Sequence, residues 1–175
     1  MDSAPRGQAP QGQRAPRLTT ATAPLTGTGT ANDLPEGDWI RGISVQQPHA
    51  TCILTGAKGI ENRPKPWSWR GWMLLHAGRR IDRPALRVPL IARTIRGREL
   101  PTGAVIGVAR LVDCHQDLEG SEPCAPWAQV GAWHLVLQDV QELPLPVPAS
   151  GQLGPWKPTE DLLEKVFQQV PAFRP

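Results

Sequence analysis

The sequence has no tyrosine and only two phenylalanines, although it carries seven tryptophans, so its flat side chains are almost all indoles. Its three cysteines, Cys52, Cys114 and Cys124, are odd in number and irregularly spaced. That pattern does not build a disulfide framework and suits reduced thiols in a cytoplasm. No stretch is long or apolar enough to span a membrane. The polar start, Met1-Asp2, lacks the cationic region and apolar run of a secretory signal. No phosphate-cradling glycine loop, dinucleotide fingerprint or nucleophile elbow is present. One-signed charge is also scarce: the net charge is +3 and the isoelectric point about 9.1. Such mild basicity is compatible with a phosphate-bearing partner without requiring one.

What is present is 175 residues with 39% hydrophobic side chains, enough for one ordinary domain plus a tail. Twenty prolines and seventeen glycines predict turns and extended segments with little continuous helix. Residues 1–38 hold almost no large apolar side chains and no periodicity. They are predicted to be a disordered tail, with Arg6, Arg14 and Arg17 as scattered cations. The domain is expected to span 39–175.

Within it, Ile40 to Val45 reads as a strand, and a short helix is expected from about Pro48 to Thr55 with Gly56 as its stop. Ile60 to Asn62 is short and extended, and Trp72 to His76 is a buried-looking strand. Pro84 to Thr94 is weakly helical. Ala104 to Cys114 is the strongest strand, Trp133 to Val140 another, and Pro144, Pro146 and Pro148 force an extended edge segment. Thr159 caps an amphipathic helix that runs to Val170, with Leu162, Leu163, Val166 and Phe167 on its apolar face. Several strands with one early and one late helix give an α+β class, built on a small barrel or a strongly curved sheet.

The chemistry concentrates after the first helix. Lys58, Glu61 and Arg63 fall on a turn leading into a strand, where the two-residue period puts Glu61 and Arg63 on one side. Two cations about one carboxylate lower its pKa and keep all three charged. The plain alternative is a solvated salt-bridge network. The functional alternative is an anion site, with Lys58 as a point charge, Arg63 as a planar fork and Glu61 orienting them or accepting from a base amino group. Trp67, Trp69, Arg70 and Trp72 follow closely, and cations interleaved with flat rings suit unstacked bases. His76 ends a strand, either as a general acid or as a satisfied core residue. Cys52 reads as a packing residue. Cys114, His115, Cys124 and His134 are metal-ligating types without a recognised zinc spacing, so neither a metal nor a cofactor is expected.

The blocks Ser44-Val45-Gln46-Gln47-Pro48-His49-Ala50, Gly56-x-Lys58-x-x-Glu61-x-Arg63, Trp69-Arg70-Gly71 and Leu75-His76-Ala77 together resemble the ASCH domain, a member of the PUA-like superfamily. The likeness continues through Pro101 to Cys114 and through Trp133 to Trp156, which ends in Gly151-Gln152-Leu153-Gly154-Pro155-Trp156. It implies a small PUA-like β-barrel with flanking helices and a cleft near the Gly56–Arg63 turn. It further implies that Lys58, Glu61 and Arg63 line this cleft, with Gln47 and Arg70 at its edge, for RNA or a nucleotide-like ligand; Trp69 joins them as a candidate stacking ring on the reading of the residues alone. Some relatives hydrolyse modified nucleosides or have been linked to RNA cleavage; Lys58 and Glu61 would be the catalytic pair in that case. The sequence departs from the pattern at His49, where many relatives have Trp. It departs again at Glu61, where the amidohydrolase members have Thr. A non-catalytic protein-interaction domain is the third reading. Oligomeric state is left open.

Overall fold

In the computed structural model, residues 40–173 are described. The expected tail and the boundary at Trp39 lie outside the described residues. One five-stranded sheet organises the chain: β1 (Arg41–Gln47), β2 (Ile60–Arg63), β3 (Gly71–Ile81), β4 (Ala104–His115) and β5 (Trp133–Pro148), in the order β1-β3-β4-β5-β2. Only β1 and β3 run parallel; the other pairs are antiparallel. Register shifts interrupt all three pairs along β1, β3, β4 and β5, and each locally increases twist. The sheet curls into a half-barrel within an α+β architecture. Among the described residues, no helix is long and apolar enough to cross a membrane.

Alternation along β3 separates two cores. Met73, Leu75 and Ala77 join Ile43, Val45, Ile53, Ile106, Leu111 and Leu135 on the face covered by helix α1 (His49–Leu54). Leu74 turns the other way. There it joins Val105, Val108, Trp156, Val166 and Phe173 beneath helix α3 (Glu160–Gln169). Thr159 Oγ1 accepts the Leu162 amide at 3.3 Å, capping α3 as its sequence predicts. The weakly helical stretch resolves into a 3-10 turn, Ala85–Arg87, and helix α2 (Pro89–Thr94).

Two strands are longer than their patterns predict. β3 continues through Gly78-Arg79-Arg80, where its side chains leave the core. β5 runs without interruption into the proline segment. β2 pairs only with Trp133–Val136, so beyond that point one side of β5 has no further strand and its prolines forfeit no ladder bond there. Gln169 Oε1 of α3 instead accepts the Leu145 amide at 2.8 Å.

Candidate functional site

The curl brings the sheet's two terminal strands, β1 and β2, towards each other without pairing them. A free strand edge leaves backbone groups unsatisfied. Here Arg63 crosses the seam, donating from a terminal guanidinium nitrogen to the Ser44 carbonyl at 2.8 Å. The same nitrogen lies 3.4 Å from Glu61 Oε1, and the guanidinium sits 5.8 Å from the centre of the Trp67 ring. Glu61 Oε2 accepts from Lys58 Nζ. The turn places Lys58 there because α1 ends at Leu54 with Thr55 as its cap and Gly56 takes a left-handed φ of 74°, after which the Lys58 amide bonds back to the Cys52 carbonyl.

Electrostatics at Glu61 are a contest. Burial alone would push its carboxyl up, but the Lys58 ammonium and Arg63 guanidinium outweigh burial and hold it below the ordinary carboxylate range. The group is thus a fixed anion in a nearly dry position.

Along the seam runs a cleft of about 840 Å³, within the range of small-molecule sites. Glu61, Arg63, His49 and His76 contribute to its wall, Arg79 and Arg80 to its rim, and Gly151-Gln152-Leu153 to the far side. Gly151 is sterically required: a Cβ there would lie 2.2 Å from Ser44 Oγ and 2.3 Å from His76 Nδ1. His76 Nε2 contacts the Ala149 carbonyl at 3.1 Å, while its Nδ1 is buried with no protein partner. His49 Nδ1 and Arg63 Nε are likewise buried without one. Burial pushes both imidazoles towards the neutral form. The Lys58 charge adds to this at His49, and Arg79 adds to it at His76.

The structure brings Lys58, Glu61 and Arg63 together, but only the last two reach the cleft wall; Lys58 is buried behind them. Gln47 is fully buried and occupied, donating to the Pro101 carbonyl at 2.9 Å and accepting the Thr51 amide at 3.1 Å. Trp69 packs against the α1-side core. Arg70 donates to the Trp67 and Trp69 carbonyls and lies 3.8 Å from Asp113. Neither lines the cleft. Ser44, Arg79, Arg80 and Gln152 also line the cleft, and no local sequence signal marks them, because only the curl places them opposite the Gly56–Arg63 turn.

No family profile matches the chain. The chain is similar to Activating signal cointegrator 1 of Homo sapiens, with 24% identity over 132 residues. The match covers 70% of this chain and 22% of that protein, so the chain spans about a fifth of the length of the curated relative it matches.

Proposed function

We propose that this chain is an ASCH-type, PUA-like domain that binds RNA or a nucleotide-like ligand in the seam cleft between β1 and β2. The relative it resembles contains an ASCH domain, and the half-barrel is compatible with that assignment. One observation carries the reading to the cleft. Three buried nitrogens, on His49, Arg63 and His76, lack protein partners and belong to residues of one wall. Burying polar groups unpaired is costly, so their concentration at a cavity points to a ligand that completes them. Arg79 and Arg80, exposed at the rim, supply positive charge for phosphate. Arg63, pinned from three sides, is a rigid fork facing the interior.

The position of Lys58 weighs towards binding and away from hydrolysis. A catalytic Lys must reach its substrate, whereas Lys58 is 2% exposed and donates to Glu61. Its role in this reading is to hold Glu61, and through it Arg63.

The test is fluorescence anisotropy with labelled single-stranded RNA, competed by nucleoside monophosphates, across a salt series. Affinity should fall steeply with salt and drop at least about tenfold in Arg63→Ala, since a charge-assisted hydrogen bond contributes about 1.5–3 kcal/mol. Binding that is indifferent to Arg63→Ala would reject the cleft.

A further inference from the structure

The β4–β5 connection, residues 116–132, carries no helix or strand, and a connection of that length is uncommon in a compact domain unless it has a function or lacks order. At its base, His115 and His134 are direct cross-strand partners, the last residue of β4 opposite the second of β5. That register sets their rings side by side, 5.6 Å apart and nearly perpendicular. The connection returns Asp117 and Cys124 to the same place. The Cys124 sulfur lies 3.2 Å from His134 Nδ1, and Asp117 Oδ1 lies 3.6 Å from the same nitrogen. One ligand atom from each of His115, Asp117, Cys124 and His134 falls within 4.8 Å of every other.

Tetrahedral zinc, with bonds of about 2.3 Å to sulfur and 2.0–2.1 Å to nitrogen, sets its ligand atoms about 3.4–3.6 Å apart. The separations of 3.2 and 3.6 Å bracket that spacing, and the widest, up to 4.8 Å, closes to it by a contraction of about 1.2 Å. Both imidazoles are already oriented. His134 Nε2 faces the Gln129 carbonyl at 3.1 Å, which leaves Nδ1 for a metal. His115 Nδ1 faces Asp113 Oδ2 at 2.7 Å, which leaves Nε2. A carbonyl or carboxylate behind each ligating histidine is the usual support of a metal site. Period-two alternation assigns Cys114 differently. It points to the opposite face, packs against the α1-side core and meets the Trp67 amide at 3.4 Å.

We propose that His115, Asp117, Cys124 and His134 form a structural site for a borderline divalent metal, zinc by its thiolate–imidazole–carboxylate donor set. Hard cations such as calcium and magnesium take oxygen ligands, so a thiolate and two imidazoles select against them. With all four positions filled by the protein, the site braces and does not catalyse. What it braces is specific. Trp127 Nε1 donates to the Ala57 carbonyl at 2.7 Å, and Asn62 ties down both Trp127 and Gln129, at 2.8 and 3.1 Å. The metal would fasten this connection over the turn that carries Lys58.

The test uses the full chain, stripped by chelator and titrated with Co²⁺ as the spectroscopic substitute for zinc. One equivalent should give a thiolate-to-cobalt charge-transfer band with tetrahedral d–d intensity, displaced by Zn²⁺. Cys124→Ser should abolish the charge-transfer band and weaken binding at least about 100-fold, beyond what losing a supporting outer group costs. Cys114→Ser should leave both unchanged. Zinc should raise the melting temperature of the wild type but not of Cys124→Ser. A folded wild-type chain without the band, or a Cys124→Ser chain that binds cobalt as tightly as wild type, would overturn the proposal. A band lost in Cys114→Ser and kept in Cys124→Ser would overturn it too.

Discussion

The two sides of this sheet solve burial in opposite ways. Beneath α3, Leu74, Val105, Val108, Val166 and Phe173 close an apolar layer, and Thr159 and Gln169 pair with backbone amides at its margins. At the seam between β1 and β2 the sheet never closes. An arginine replaces the missing strand pairing, a buried carboxylate is held by two cations, and three ring or guanidinium nitrogens lack protein partners. The first side is built for stability. The second keeps polar capacity in reserve, and unspent capacity of that kind collects where something else binds.

The largest expected effect breaks the seam. Lys58→Met leaves Glu61 as a buried anion short of its closest cation and should cost about 3–5 kcal/mol in urea unfolding. Adding Glu61→Gln should restore much of that loss, because the uncompensated charge is gone. A double variant as unstable as the single one would mean the pair is not electrostatically coupled.

On the other side, Leu74→Ala should cost about 2–5 kcal/mol, the range for removing buried methyl groups. Ligand affinity of the folded protein should stay within about twofold. A comparable loss of affinity would show that the two sides are not separable.

The pH response should be a smaller effect and should come from the seam. His49 and His76 are both pushed towards the neutral form, by burial first, so each binds its proton less readily folded than unfolded. Their contribution to stability is complete above the unfolded value of about 6.5 and is lost as pH falls from there towards the depressed folded value. Glu61 has a depressed value too, so its stabilisation persists further down and goes only as pH falls through its folded value, below about 4.3. His76→Gln should reduce the first loss to the share that His49 carries and leave the second. Unchanged stability between pH 7 and 5.5 in the wild type would contradict this assignment.

Arg79→Ala should have the smallest effect on folding, within about 0.5 kcal/mol for an exposed side chain. It should reduce the slope of log affinity against log salt by about one if that cation meets a phosphate. An unchanged slope would remove the rim from the binding surface.

Legibility followed the distance between cause and effect. Helix α3 and its cap could be read because 3.6-residue periodicity and Thr159 are local. The Lys58–Glu61–Arg63 grouping could be read because six residues of one turn and strand contain it. The length of β5 could not, since prolines argue against a strand until β2 is known to stop pairing at Val136. The seam could not either: Ser44 meets Arg63, and Gly151 meets His76, only after the sheet has curled. The metal-ligating types show both limits. Adjacent numbering groups Cys114 with His115, whereas strand alternation separates them and the connection delivers Asp117 instead.

Amide chemical-shift mapping with a short single-stranded RNA tests the seam most directly. Shifts concentrated at Ser44, Glu61, Arg63, His76, Gly78 and residues 150–153 are the predicted result. Shifts confined to the α3 face, or spread evenly over the surface, would contradict it.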